Sequence, residues 1–148
     1  MTKKILILSH VPKEMMIDNI ESMGLGDAIR VAIGAKILSD HEMLADLCVR
    51  KEIREVLTQE PIHNTITPNR IVEWSELSFI DYSLYSKIIF IEHPCYWPVL
   101  QSRYNLPDAK MLWHLDQDQS FKSFSHDLVS RLMNDLGVSQ TPLREAFL

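Results

Sequence analysis

The sequence predicts an α/β domain: a three-layer sandwich with a small parallel sheet of about four strands, in the order 2-1-3-4, and helices on both faces. Three observations predict it. Short continuous apolar runs fall within 4–9, 87–91 and 111–115, as expected of strands buried on both faces of a parallel sheet. Stretches of helical apolar spacing lie between such runs. The resulting alternation demands crossover connections, which set the carboxyl ends of all strands along one edge.

Taken in order, KILILS at 4–9 is the first strand. A helix over 14–23 follows, with Met15, Met16, Ile20 and Met23 on one stripe and Gly24 and Gly26 as its stop. Residues 28–38 read as the second strand, because Ile29, Val31 and Ile33 alternate and are β-branched, and Gly34 ends or bends it. Ser39 with Glu42 three residues on forms a capping box, and Met43, Leu44, Leu47, Cys48, Ile53, Val56 and Leu57 keep helical spacing behind it, which makes Cys48 a core residue. Residues 59–69 carry two prolines and read as a loop, and short helical pieces follow up to Tyr85.

KIIFI at 87–91 is the third strand, ended by Glu92, His93 and Pro94. A short helix occupies 95–104, and 111–115 is a fourth strand stopped by the polar run at 116–120. The closing helix has Ser125 as N-cap with Phe124 before it as a staple, Leu128, Val129, Leu132, Met133 and Leu136 as its apolar stripe, and Gly137 as its stop.

With 148 residues, no repeat and no flexible linker, the chain is expected to be one domain over 1–148. No apolar run approaches the ~20 residues of a membrane span, and MTKKILILSH carries no signal-peptide cleavage pattern. Two cysteines in a domain of this size fit a reducing compartment, so a soluble, cytoplasmic protein is expected. Fifteen Lys and Arg against twenty Asp and Glu give a net charge of −5, and no basic cluster stands out, so neither nucleic acid nor an anionic membrane is an expected partner.

Ser9, His10, Glu92, His93, Asp116 and Asp118 all fall at predicted carboxyl ends of strands, where parallel sheets gather distant side chains. Lys13 is the only cation in the first loop. These seven are the candidate ligand-binding residues; the competing reading is that polar residues simply end strands. Neighbours on a strand point to opposite faces, so Ser9 and His10 are not expected to pair, and His93 is the better candidate base. His10, His93, Asp116 and Asp118 are acceptable metal ligands by type, but no zinc-like spacing supports a site, and neither metal nor cofactor is expected. His114, inside an apolar strand, and Cys95 read as packed rather than reactive residues. Tyr96 and Trp97 either stack on a planar ligand or cap the core.

The segments SKIIFIE, AKMLWHLDQDQSF and SHDLVSRLMNDL resemble the third strand, the fourth strand with its aspartate-rich loop, and the closing helix of the low-molecular-weight protein tyrosine phosphatase family. The first strand and its helix fit the same order, around an enlarged middle. That resemblance implies a catalytic loop directly after the first strand, built of a cysteine, five residues and an arginine. Here Ser9 stands at the cysteine position and Met15 at the arginine position. A serine hydroxyl needs a dedicated base where a thiolate does not, and a thioether cannot clamp a phosphoryl group. Pro12 also removes a backbone donor from the loop. Asp116 or Asp118 stands near the family's general acid, without the proline typical of its larger members.

The expectation is therefore a catalytically degenerate phosphatase-like protein without phosphotyrosine phosphatase activity, which binds a small anionic molecule or a protein partner at the carboxyl edge of its sheet. Two alternatives stand beside it. One is a hydrolase or transferase of changed chemistry using His93 with Asp116 or Asp118. The other is a purely protein-binding module, either monomeric or a homodimer.

Overall fold

The computed structural model describes residues 3–17, 24–40, 42–59 and 70–111. Five parallel strands, β1 (Lys3–Ser9), β2 (Met43–Val49), β3 (Arg70–Glu73), β4 (Lys87–Ile91) and β5 (Lys110–Met111), form one sheet in the order β3-β2-β1-β4-β5. The α/β class and the parallel sheet agree with expectation. The expected order 2-1-3-4 persists among four of the strands once the second is moved to 43–49, and β3 adds an edge outside it.

β1 sits at the centre, and its alternating side chains divide the interior in two. Ile5 and Ile7 point into a cluster with Ala45, Leu47 and Val49 of β2 and Ile89 and Ile91 of β4. This face is covered by α1 (Leu25–Asp40) and α2 (Lys51–Leu57). Leu6 and Leu8 point into the second cluster with Cys48 and Phe90. That face is covered by two 3₁₀ segments, Trp74–Phe79 and Tyr82–Leu84, and by α3 (Trp97–Tyr104), which is entered through a 3₁₀ turn at Pro94–Tyr96. Helices α1 and α2 serve steps in one direction across the sheet and α3 serves a step in the other. Their placement on opposite faces keeps all crossovers of one hand, as parallel sheets require.

Two expected elements are corrected. Residues 28–38 are helix, not strand. Ala28, Val31, Ala32, Ala35 and Leu38 are fully buried at helical spacing, and the alanines let the helix axis approach the sheet closely. The alternation of Ile29, Val31 and Ile33 is also compatible with helix, since Ile29 and Ile33 are one turn apart and both pack on the same cluster.

Conversely, the helix expected from Ser39 onward is first a strand, β2, and only then a helix. Ser39 belongs to the last turn of α1, and Glu42, in the left-handed region at φ 65°, makes the turn whose N–H donates to the Ser39 carbonyl at 3.2 Å. Six of the seven residues of β2 are apolar and they lie on both sides of the strand around Asp46, and such a run satisfies helical and strand spacing alike. Cys48 is buried as expected, but from a strand.

The helix expected over 14–23 is, in its described part, a single 3₁₀ turn at Lys13–Met15. The strand at 87–91 and the helix within 95–104 are found as expected. Short helical pieces are found at Trp74–Phe79 and Tyr82–Leu84, both 3₁₀, but Arg70–Glu73, expected to belong to the same stretch, is the strand β3 that pairs with β2. Residues 60–69, the remainder of the strand expected at 111–115 with His114, and the closing helix from Ser125 lie outside the described residues. Among the described residues, no helix is long and apolar enough to cross a membrane.

Among the described strand residues, one charged side chain is fully buried. The Asp46 side chain is fully buried on the second face, where the Tyr85 hydroxyl donates to it at 2.6 Å and Lys4 and Arg70 approach at 3.5 and 3.7 Å. Burial and the adjacent carboxylate push the Tyr85 hydroxyl pKa up to about 12, so it remains a donor.

Leu47 lies fully buried at the middle of β2. Leu47→Ala is expected to lower unfolding stability by about 2–5 kcal/mol, the cost of a cavity in a close-packed core. Urea denaturation measures this; a loss below about 1 kcal/mol would contradict the two-sided burial of β2.

Candidate functional site

The strand order reverses between β1 and β4, because the chain leaves β1 toward β2 on one side and reaches β4 on the other. Open α/β sheets bind ligands in the crevice outside the carboxyl ends at such a reversal. The turn after β1 stands at that reversal.

His10, immediately after β1, has φ 54°, a left-handed conformation uncommon outside glycine. Its surroundings hold it there. The His10 Nε2 atom lies 2.9 Å from the Gly24 carbonyl at the start of α1, and a carbonyl only accepts, which assigns the ring proton to Nε2. Nδ1 then accepts from the Ser9 hydroxyl at 2.8 Å. The expectation that Ser9 and His10 would not pair is thus corrected. Opposed side chains are the rule along an extended strand, and the positive φ at His10 breaks that extension.

Three other carboxyl ends secure the same turn. After β3, the Trp74 indole N–H reaches the Ser9 and His10 carbonyls at 3.3 and 2.9 Å. After β4, a Glu92 oxygen accepts the Val11 N–H at 2.9 Å. After β2, Arg50 donates to the Val11 carbonyl at 3.3 Å.

Ser9 and His10 have no exposed surface and Glu92 has 1%. A serine hydroxyl hydrogen-bonded to a neutral imidazole is a nucleophile-and-base arrangement in outline. Buried and committed to the turn, this pair holds backbone rather than meeting a substrate. Burial lowers the His10 pKa to about 4, with the Arg50 charge acting in the same direction and the Gly24 carbonyl and Asp27 opposing.

His93 is half-buried, and its Nδ1 accepts the Cys95 N–H at 3.1 Å, capping the turn into α3. Cys95 is exposed, and its thiol pKa is raised by desolvation and by the Glu92 charge, the opposite of what a reactive thiolate needs. Tyr96 is buried in the second cluster, with Trp97 packed against it 5.1 Å from the Phe90 ring. Both therefore cap the core. Asp116 and Asp118 lie outside the described residues.

Beside this sealed turn lies a crevice of about 450 Å³, over the carboxyl ends of β1, β2 and β3. The turn after β1 contributes Pro12, Lys13 and Glu14, the turn after β2 contributes Arg50, Lys51 and Glu52, and the turn after β3 contributes Glu73, Trp74 and Ser75; Tyr104 closes it from the end of α3. Lys13 is the one sequence-predicted site residue that lines it.

Three cations and three acids line this crevice, but they are not equivalent. Glu14 pairs with Arg103 at 3.8 Å, Glu52 with Arg50 at 3.8 Å, and Glu73 with Arg54 at 3.4 Å. Among the described residues Lys13 and Lys51 have no acidic partner. Arg50 and Lys51 are missing from the sequence-predicted residues because 43–49 is expected as helix, Trp74 because no strand is expected before it, and Tyr104 because it ends a helix rather than a strand. With the strand ending at Val49, the next two residues are the cations that the carboxyl-edge rule selects.

His10 makes stability depend on pH. Its folded pKa, about 4, lies below the ordinary 6.5, so between those values the unfolded chain binds a proton that the folded chain does not. Stability therefore rises with pH across this window, by about 3 kcal/mol from this group. His10→Asn tolerates a positive φ and does not titrate. Subtracting its urea-denaturation stabilities from those of the unaltered protein, between about pH 4 and 7, should isolate that rise, and a flat difference would refute the assignment.

No family model, curated protein or solved structure matches this chain, and its function has to be read from the crevice itself.

Proposed function

We propose that this protein is a binding domain that holds a small anionic molecule in the crevice at the carboxyl edge of its sheet, and that it does not hydrolyse phosphotyrosine. The observation that carries the reading is the charge arrangement. Among the described residues, arginines pair with every carboxylate that lines the crevice, while Lys13 and Lys51 have no acidic partner at the rim. Lysine ammonium groups are strongly hydrated point charges, suited to an anion that arrives from solvent. Arginines held by carboxylates keep the rest of the crevice close to neutral.

The turn after β1 supports the second half of the proposal. Ser9 is buried where the phosphatase-like family has its nucleophile, and Met15 packs partly buried against the second cluster where that family has its arginine. The Val11 N–H, a backbone donor that a phosphate loop would direct at its ligand, is bonded to the Glu92 carboxylate instead.

Thermal unfolding with pyrophosphate or citrate at low ionic strength tests the binding. An anion at 100 times its dissociation constant stabilises the folded state by about 2.7 kcal/mol, a rise in Tm of about 5–10 °C for a domain of this size. The exposed pair Lys13→Ala and Lys51→Ala should abolish the shift and leave the Tm without ligand nearly unchanged. No shift with either anion, or an equal shift in the double variant, would overturn the proposal. Phosphotyrosine mimics should show no turnover.

A further inference from the structure

We infer that the anion is the phosphate of a mononucleotide, and that the crevice accepts its sugar and base as well; this rests on the anion-binding reading above. Four observations carry it. At about 450 Å³ the crevice is far larger than inorganic phosphate requires and lies in the range of sites for whole small molecules.

The second observation concerns the acids. Glu52 pairs with Arg50 and Glu73 shares Arg54 with Glu76, yet a carboxylate has about four acceptor positions and these pairings leave some of them open. Paired carboxylates beside a cationic rim suit a ligand that is anionic at one end and rich in hydroxyls next to it, as a ribose phosphate is.

The third is aromatic. Tyr104 is half-buried, its ring 5.4 Å from the Trp74 ring at 47° and 5.8 Å from the Arg103 guanidinium. A partly open ring fixed from behind by a buried indole offers a planar base a stacking surface.

The fourth separates a mononucleotide from a dinucleotide. The order β3-β2-β1-β4-β5 matches that of doubly wound dinucleotide-binding sheets, in which the pyrophosphate crosses the reversal on a glycine-rich turn. Here the turn is His10-Val11-Pro12-Lys13-Glu14 without glycine, and the Glu92 carboxylate already holds the Val11 N–H at the reversal. A pyrophosphate there would meet a buried negative charge. This crevice lies over β1, β2 and β3, one half of the sheet. The phosphate in this crevice therefore has lysine side chains to meet rather than a backbone cradle.

Calorimetric titration of the full chain with inorganic phosphate, ribose 5-phosphate, AMP, GMP, CMP, UMP and NAD tests the inference. At least one mononucleotide should bind about ten-fold or more tightly than ribose 5-phosphate, and ribose 5-phosphate more tightly than phosphate. NAD should bind no more tightly than the best mononucleotide. Tyr104→Leu should erase the preference for nucleotide over ribose 5-phosphate. The ligand series on the unaltered protein decides the matter even if that variant fails to fold. Equal affinity for phosphate and every mononucleotide would overturn this inference and leave the anion site standing, as would NAD binding most tightly. Failure of every anion to bind would remove both.

Discussion

Burial of β1 on both faces is the constraint from which the rest follows. A strand with apolar residues at every position from Ile5 to Leu8 needs a neighbour on each edge and a covering layer on each side. Parallel pairing with β2 and β4 supplies the neighbours, and parallel pairing obliges the chain to return over one face or the other between strands. Those returns are the covering layers. The same obligation sends the ends of β1, β2, β3 and β4 to one edge, where Ser9, Val49, Glu73 and Ile91 are followed by polar turns. The concentration of polar groups at that edge is thus a consequence of topology before it is a sign of function.

That edge is divided into a sealed part and an open part. Ser9, His10 and Glu92 lie in the sealed part, and each is matched to a backbone group or to another of the three. A buried carboxylate or imidazole without such partners would cost several kcal/mol, so the hydrogen bonds are a condition of burial rather than an ornament on it. They also tie the left-handed turn at His10 to α1, β3 and β4 at once. The open part begins two residues later, where Lys13 and Lys51 reach solvent. The carboxylates there are paired on the surface, where such pairs contribute little to stability. Their consequence is electrostatic: among the described residues that line the crevice, they leave Lys13 and Lys51 as the charges without an opposite partner.

How much of this was legible in the sequence depended on how many competing patterns each segment satisfied. KILILS and KIIFI are short, apolar and rich in β-branched residues, and both are strands. Residues 28–38 and 43–49 satisfied helical and strand periodicity together, and each was read the wrong way. Long-range packing settled them. The alanines at 28, 32 and 35 matter only because a sheet lies against them, and β2 is a strand because β1 and β3 flank it.

The carboxyl-edge rule found Ser9, His10, Glu92 and Lys13, but burial is not written in a residue's position at the end of a strand. Nor could the pairing of Ser9 with His10 be read from a rule about extended chain, since one positive φ removes its premise.

The division of basic residues sharpens the last step. Arg50 belongs to both parts of the edge: one guanidinium nitrogen donates to the Val11 carbonyl of the sealed turn, and Nε lies 3.8 Å from Glu52 at the crevice. A planar group with five donors in a fixed fork serves both directions with its geometry held, whereas an ammonium offers three rotatable donors on a flexible stem. Arg50 therefore fixes the relation between the turn and the crevice wall, and Lys13 and Lys51 stand exposed beside it. The result is a carboxyl edge held by hydrogen bonds with two exposed ammonium groups at its rim, and on the proposed anion-binding reading that preorganised surround is what would let so few charged groups discriminate among anions.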